Sequence, residues 1–561
     1  VARRIVIIGG AACGLKAASR ARRLDGEVEI TVIEQGRYVS YAACGMPYVV
    51  SGRIKKAADL IQRTPAYFER IKGIRLLTGC RATAIDRERK MVRYRPPAGG
   101  QPELELPYGK LVLATGARPA APPLAGLELP GVFRLKELGD VEAISQAIPK
   151  ARRAVVIGAG PIGIEMAEAF RARGLEVALI EAKGHVLPGL LDFEMARLLE
   201  RHLEARGVEV RCGARLLGFE GNGRLERVVA GSQERLEAEV ALLATGALPN
   251  VELARAAGLA LGETGAILVD EHLRTSDADI FAGGDCVESR HLITGRPVYI
   301  PLGTTANKHG RLIGDNLCGG NEAFPGVLGT SLLKAFDYTV GRSGLTSREA
   351  AELGLETCEA LVPAPDRAPY YGGARHFALK LLAERPGGRI LGVQLVGPGE
   401  VARRLDAAVA AMSCGVSAAQ MAQLDFGYSP PYALAMDLLI TAANVLRNKL
   451  EGLVSSASPE EVKAALASAE PPLLLDVRSK PEWAKVRLNA GDVVHLPFPQ
   501  LRKKLGRLPK DRDIVTFCWG GLRAYEAALM LRRAGFERVR FMDGSLFTWP
   551  FELAEDEADW R

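Results

Sequence analysis

Two stretches of this chain repeat one order of strand, glycine turn, helix, strand and terminal acid. That repetition restricts the fold more than any other feature. In the first, Arg3–Ile8 reads as a buried strand and Leu15–Leu24 as a helix with a basic face. Between them lies Gly9-Gly10-Ala11-Ala12-Cys13-Gly14. Such a turn reverses a strand into a helix and leaves the helix's first N–H groups and positive dipole end open to a pyrophosphate. Gly9 and Gly14 supply the outer glycines, and Ala11 stands at the middle position. The strand Val28–Ile33 then ends at Glu34, about twenty residues past the turn, where a carboxylate reaches a ribose 2′-hydroxyl. In the second stretch, Ala154–Ile157 leads into Gly158-Ala159-Gly160-Pro161-Ile162-Gly163. Pro161 suits a first helical turn, Gly174 ends the helix, and Glu176–Ile180 closes on Glu181. Two such units predict two dinucleotide sites. Glu181 repels a 2′-phosphate and so favours NADH, while the nearby Lys183 leaves NADPH open.

Composition narrows the class further. At 561 residues, 48% hydrophobic and 25% charged, the chain is expected to form about three or four globular domains. No apolar stretch approaches the roughly 18 residues of a membrane span. The net charge of +7 is dispersed, which is no nucleic-acid footprint. Nine cysteines without a C-x-x-C pair fit neither a disulfide framework nor a zinc site. A cytoplasmic protein is therefore expected, with no nucleic acid, membrane or metal as partner. Arg3-Arg4 and the apolar run after them imitate a secretion signal, but that run is only Ile5–Ile8 and belongs to the first strand.

Further on, Leu111–Gly116 and Leu242–Gly246 are near-duplicates that include Thr115-Gly116 and Thr245-Gly246. Ile280–Asp285 is a strand ending in two glycines and a carboxylate. With both glycine turns, this order over residues 3–450 resembles the two-dinucleotide-binding flavoproteins of the glutathione reductase superfamily. The resemblance implies FAD in the first fold, NAD(P)H in the second, and a contact from Asp285 to the flavin ribitol. It also implies an NAD domain inserted within the FAD domain, and a dimerisation domain that makes a homodimer.

The disulfide C-x-x-x-x-C of glutathione reductase relatives is missing. A single cysteine stands ten residues past Glu34, in Ser40-Tyr41-Ala42-Ala43-Cys44-Gly45-Met46-Pro47-Tyr48. This is similar to the single-cysteine branch of coenzyme A disulfide reductases and related persulfide reductases. Its chemistry needs a thiol beside the flavin, with a pKa lowered by a helix start and by the electron-poor ring. The resemblance extends to Arg20, Arg23 and Arg63, whose counterparts hold coenzyme A phosphates. It also includes Tyr370 and Tyr428, tyrosines that one protomer supplies near the substrate sulfur of the other. Ala12 stands where peroxide- and oxygen-reducing relatives place a histidine. Ala43 replaces a common asparagine, and Ala433–Asp437 replaces a polar stretch. The other cysteines read as packing residues, with Cys13 and Cys286 near FAD.

Glu451–Ser458 is small and polar and reads as a linker. Beyond it, Ser458-Pro459-Glu460-Glu461 starts a helix, Leu473–Asp476 is a buried strand, and Ile514–Phe517 delivers Cys518-Trp519-Gly520-Gly521-Leu522-Arg523 ahead of another helix. A cysteine between strand end and helix start can gather backbone N–H groups around its sulfur, and Arg523 adds positive charge. With Asp476-Val477-Arg478 and Gly544–Trp549, this resembles a rhodanese domain, although Lys485–Leu488 replaces its usual Gly-His-Ile-Pro and Ala524 a common serine. His495 is expected to be structural.

The expected fold class is α/β: two Rossmann-like dinucleotide-binding domains, an α+β dimerisation domain and an α/β rhodanese domain. The expected boundaries are 1–149 with 245–325 for FAD, 150–244 for NAD(P)H, 326–450 for dimerisation, 451–458 for the linker and 459–561 for the rhodanese. Catalytic candidates are Cys44, Cys518, Arg523, Tyr370 and Tyr428. Cofactor candidates are Gly9, Ala11, Gly14, Glu34, Thr115, Gly116, Asp285, Gly158, Gly160, Gly163, Glu181 and Gly246. Glu165, on the second turn's helix, is a candidate for positioning the nicotinamide. The expected cofactors are FAD and NADH, with coenzyme A as a further candidate. The expected substrate is a small disulfide, persulfide or polysulfide. The rival readings are an NADH oxidase or peroxidase cycling Cys44 through a sulfenic acid, and a sulfur-sensing protein.

Overall fold

A computed structural model describes residues 4–97, 102–490 and 492–555. Arg3 of the first expected strand, and residues 556–561 at the end of the expected rhodanese domain, lie outside the described residues. The chain forms two compact units. One runs to Ala182 and resumes over Gly213–Gly329; the other joins Lys183–Cys212 to the chain from Thr330 onward.

The first unit is built on parallel strands. One sheet has the order Ile280–Ala282, Lys110–Leu113, Arg4–Ile8, Glu29–Glu34, Arg75–Thr78. Its strands are short apolar runs because helices and a second layer cover both faces. Val6, Ile7, Val112 and Leu113 are fully buried. Ile8 lies beside Ile33 and Leu113, so the strand ends carrying Gly9, Glu34 and Ala114 finish along one edge. The helix Ala12–Leu24 packs on Gly303–Leu317. A side chain at Gly310 would stand 2.3 Å from the Cys13 carbonyl oxygen, so only glycine permits that approach.

A second parallel set in the same unit contains Glu176–Glu181, Arg153–Ile157, Val240–Leu243 and Val132–Arg134, adjacent in that order. The duplicated Thr-Gly segments are the two crossovers between these folds. Ala117–Pro119 and Ala247–Pro249 pair antiparallel. The Thr115 hydroxyl donates to the Asn250 carbonyl at 2.7 Å, and the Thr245 hydroxyl to the Ala120 carbonyl at 2.7 Å.

The second unit holds an antiparallel sheet in the order Ser331–Ala335, Tyr338–Gly344, Ile390–Gly397, His376–Glu384, Thr357–Pro365. Helices Val401–Ser413 and Leu438–Leu450 pack on it. A parallel sheet follows in the order Ser456–Ala457, Val539–Met542, Ile514–Phe517, Leu473–Asp476, Val493–His495. The architecture is the expected combination of two dinucleotide folds, a dimerisation domain and a rhodanese domain.

The segment 451–458, expected as a linker, carries structure of its own. Ser456–Ala457 is the edge strand of the last sheet, and the Arg532 guanidinium donates to the Leu453 carbonyl at 2.8 Å. Its small polar residues serve a tight crossing, where the Ser456 hydroxyl donates to buried Asp543 at 2.7 Å. The stretch 183–212 belongs to the second compact unit. Its helix Phe193–Ala205 buries Met195, Leu199 and Leu203, and its acids Asp192 and Glu194 close on Lys380.

Among the described residues, no helix is long and apolar enough to cross a membrane, and no group of three or more His, Cys, Asp or Glu is placed to hold a metal ion. All nine cysteines are free thiols.

Candidate active site

The first glycine turn meets the helix Ala12–Leu24 at Ala11, whose side chain makes no capping bond, so the first N–H groups of the helix carry no side-chain cap. Ala11 and Ala12 are exposed there. Gly9 has φ +113°, and a side chain on it would stand 2.1 Å from the Ala114 carbonyl oxygen. Glu34 accepts the Gly10 and Gly36 N–H groups, each at 2.6 Å. Burial pushes its carboxyl up, against those two N–H bonds. These features fit the adenosine and pyrophosphate end of a dinucleotide such as FAD. Asp285 follows the strand Ile280–Ala282 through Gly283-Gly284. Burial raises its carboxyl, and Lys136 pulls it back. The Thr115 hydroxyl is engaged by the crossover.

The second turn repeats the construction. The Ala159 N–H donates to Glu181 at 2.9 Å, the same contact that Gly10 makes with Glu34. Helix Pro161–Ala172 starts from Gly160 with no side-chain cap, and a side chain at Gly160 would meet nothing within 4 Å. That open space is what a pyrophosphate needs. Gly246, in the crossover beside it, likewise meets nothing within 4 Å, as does Gly116. Gly163 is different, because a side chain there would stand 1.9 Å from the Gly158 carbonyl oxygen. Gly163→Ala must therefore displace the turn. It is expected to raise the KM for NADH about tenfold or more with flavin content unchanged. Steady-state kinetics beside the absorbance ratio of protein to flavin check this.

Cys44 lies in the turn Ala43–Gly45, directly before the helix Met46–Val50, and is solvent-exposed. The expected helix-start position is present. Within the protein itself, other groups oppose that helix start. Burial of the sulfur by surrounding protein pushes the thiol up, and Glu165 and Asp285 push it further. The Cys44 N–H and Lys136 oppose them only weakly. The thiol therefore faces one acid from each dinucleotide fold: Asp285 from the first and Glu165, on helix Pro161–Ala172, from the second. Glu165 also lines a 270 Å³ cavity with Tyr48, Arg53 and Glu168. Sequence reasoning missed Lys136, which carries no motif.

Cys13 and Cys286 are buried, as expected for packing residues. The Cys286 thiol donates to the Gly283 carbonyl at 3.4 Å, behind the Asp285 turn. Arg20 donates to Asp315 at 2.8 and 2.5 Å, joining two helices. Arg23 and Arg63 are exposed, and the Arg63 guanidinium lies 5.2 Å from the Tyr67 ring centroid.

In the second unit Tyr370 and Tyr428 come from separate loops, yet their hydroxyls are 3.0 Å apart. Both are exposed, 78% and 48%. That hydrogen bond raises the Tyr428 pKa. The pair presents two phenol donors at one point of the surface.

The second sulfur site is closed. Cys518 is 2% exposed, its sulfur accepts the Gly521 N–H at 3.1 Å, and its own N–H donates to the Ser545 hydroxyl at 3.1 Å. Gly521 has φ +98°, which only glycine adopts freely and which turns that N–H toward the sulfur. Arg523 is not a lone positive charge. Glu482 takes both its terminal nitrogens at 2.8 and 2.6 Å, and that bond holds the Glu482 carboxyl down at about 2. The Ser479-x-x-Glu482 capping box was a visible signal for this acid. Arg478, fully buried, binds Asp476 and donates to the Glu482 and Val486 carbonyls at 3.2 and 2.8 Å, fixing that helix. His495 stacks on Trp483 at 4.9 Å, a structural role as expected.

Comparison with known proteins accords with this geometry. Residues 3–310 match the pyridine nucleotide-disulphide oxidoreductase family, 331–439 its dimerisation domain, and 458–550 the rhodanese-like domain. An NAD(P)H coenzyme A polysulfide/persulfide reductase of Pyrococcus horikoshii is 39% identical over 447 residues, 79% of this chain and 98% of that protein. An NAD-dependent persulfide reductase from A. fulgidus superposes with a TM-score of 0.92 at 44% identity, covering 97% of this chain and 100% of its own. Reduced Bacillus anthracis CoADR-RHD superposes at 0.93 with 32% identity, covering 98% of each.

Proposed function

The chain belongs to the pyridine nucleotide-disulphide oxidoreductases, and from that premise we propose that it uses NADH to reduce a coenzyme A persulfide at Cys44. Coenzyme A disulfide and polysulfide are acceptors of the same chemistry. The observation that carries this reading is the position of the exposed Cys44 thiol, in the turn before the helix Met46–Val50. Cys44 faces Asp285 of the first dinucleotide fold and Glu165 of the second.

FAD, when bound, supplies the two-electron relay between NADH and the cysteine sulfur and the electron-poor ring that favours a thiolate. Gly9, Ala11, Gly14, Gly116, Glu34 and Asp285 hold it. Gly158, Gly160, Gly163, Glu181 and Gly246 receive NADH. Glu181 disfavours a 2′-phosphate, and Glu165 orients the nicotinamide. The Cys44 thiolate attacks the outer sulfur of the persulfide, a new S–S bond forms, and the coenzyme A thiolate leaves. Two electrons then break that S–S bond to give hydrosulfide and the Cys44 thiolate, and the proton released from NADH together with one from solvent protonates the coenzyme A thiolate and the hydrosulfide. The sum is one persulfide, one NADH and one proton giving one thiol, one hydrogen sulfide and NAD⁺.

The dimerisation domain makes a homodimer, and Tyr370 and Tyr428 of one protomer steady the developing thiolate beside Cys44 of the partner subunit. Arg23 and Arg63 are the candidates for the coenzyme A phosphates. A cytoplasmic location is part of this reading, and nine cysteines without a C-x-x-C pair support it. Cys518, wrapped by Gly521 and flanked by Arg523, carries sulfane sulfur and delivers it to Cys44 on a carrier thiol.

NADH consumption with coenzyme A persulfide, coenzyme A disulfide, polysulfide, oxygen and peroxide tests the reading. Preference for the sulfur acceptors is expected. Turnover with oxygen alone would replace it with an oxidase. With thiosulfate as the sulfur source, Cys518→Ser is expected to stop sulfide release but leave added coenzyme A persulfide turnover intact. Unchanged release would uncouple the two domains.

A further inference from the structure

The backbone of Cys518 is held by a segment that the dimerisation domain anchors. The Cys518 N–H donates to the Ser545 hydroxyl at 3.1 Å, and the Leu546 N–H donates to the Cys518 carbonyl at 3.2 Å. The Ser545 hydroxyl in turn donates to the Met542 carbonyl at 3.2 Å. This clamp rests on an unusual turn: Gly544 has φ +65° and Ser545 has φ +50°. A serine in the left-handed region costs about 1 kcal/mol or more and persists only where its surroundings over-determine it.

Those surroundings come from another domain of the same unit. Asp543, the residue before the turn, is 2% exposed, and the Lys449 ammonium donates to its two oxygens at 2.8 and 2.6 Å. The third Lys449 N–H reaches the Glu359 carbonyl at 2.6 Å, so a buried ammonium has all its donors satisfied. Lys449 lies in the last turn of Leu438–Leu450, and Glu359 is in strand Thr357–Pro365. That strand also presses on the turn, since a side chain at Gly544 would stand 2.9 Å from Leu361 Cγ. One built at Gly520, inside the Cys518 loop, would lie 3.6 Å from Pro363.

We propose that Lys449 is a positioning residue for the Cys518 persulfide cradle: through Asp543 it locks the left-handed Gly544–Ser545 turn that receives the Cys518 N–H. The dimerisation domain thus completes the rhodanese site. This inference rests on the reading of Cys518 as a sulfur carrier.

The test uses full-length flavin-loaded enzyme with thiosulfate and cyanide as probes. The Cys518 thiolate takes the outer sulfur of thiosulfate, and sulfite leaves with the electron pair of the broken bond. Cyanide then removes that sulfur as thiocyanate and returns the thiolate. Because Lys449→Met alone strands a buried carboxylate, the decisive variant is Lys449→Met with Asp543→Asn, which removes both charges. It is expected to lose about tenfold or more in thiocyanate kcat with KM for thiosulfate within about twofold. NADH turnover at Cys44 stays unchanged, the pH midpoint of Cys518 alkylation shifts upward, and Lys449→Arg recovers part of the rate.

A double variant with wild-type kcat and an unmoved midpoint overturns the inference alone. Loss of both activities together with a lowered melting temperature also overturns it, leaving a merely structural pair. A wild-type enzyme that makes no thiocyanate removes the reading of Cys518 and the inference with it.

Discussion

Cys44→Ser is expected to lower turnover with coenzyme A persulfide about a thousandfold or more while NADH still reduces the flavin at an unchanged rate. Serine keeps the size and the hydrogen bonds of the turn Ala43–Gly45 but supplies no thiolate. An alcohol neither attacks a sulfur–sulfur bond at neutral pH nor accepts a sulfur that two electrons could release. Stopped-flow absorbance separates the flavin half-reaction from steady-state turnover. A serine enzyme that reduces persulfide at the full rate would move the chemistry away from Cys44. The wild type carries a further signature. Burial, Glu165 and Asp285 push the Cys44 thiol up, so the step that needs its thiolate quickens as pH rises through that raised value. Removing the Glu165 charge in Glu165→Gln shifts this limb to lower pH.

The largest expected loss of stability comes from Lys380→Met. The Lys380 ammonium is 3% exposed and lies 2.6 Å from Glu194, 2.9 Å from Asp192 and 3.0 Å from Glu359. Its removal leaves Asp192 and Glu194 buried, and Glu359 half-buried, without that counter-charge, at a cost of about 3–5 kcal/mol for a broken buried pair. The melting temperature is expected to fall, and to fall less in acid, where the carboxylates take up protons. An unchanged melting temperature would mean that water or another cation serves the cluster.

The same cluster gives the native protein a pH slope. Burial and the neighbouring carboxylates raise Glu194 to about 7, above its usual 4.5. The folded protein therefore holds a proton that the unfolded chain releases. Stability from this group is complete below about 4.5 and is lost as pH rises through about 7. Asp192 runs the other way. Lys380, with the Ser347 N–H and Gln394, holds it at about 2, so its contribution exists above 3.8 and disappears as pH falls through about 2. Glu194→Gln is expected to flatten the decline of melting temperature between about pH 4.5 and 7, which differential scanning calorimetry reads directly.

Much of the site was legible because its parts are local devices. Gly9, Gly14, Gly158 and Gly163 mark turns where backbone meets backbone, and the acids Glu34 and Glu181 close the strands that follow. Cys44 and Cys518 each stand beside a helix start that a short window reveals. What the sequence did not reveal depends on charges distant in the chain. Glu165 and Asp285 come near the Cys44 thiol only after both dinucleotide folds are assembled. Asp315 pairs with Arg20, and Glu482 with Arg523.

The order of residues by itself determined the two strand–turn–helix units with their closing acids and the two cysteines set at helix starts, which follow from short-range steric and hydrogen-bonding rules that act within about thirty residues. The dimerisation and rhodanese domains were legible through family resemblance. Only the tertiary structure decided which carboxylates face Cys44, which acid neutralises Arg523, and that Lys449 reaches under the Cys518 loop. Coulomb energy and burial depend on separation in space, and packing brings together groups that no spacing along the chain relates.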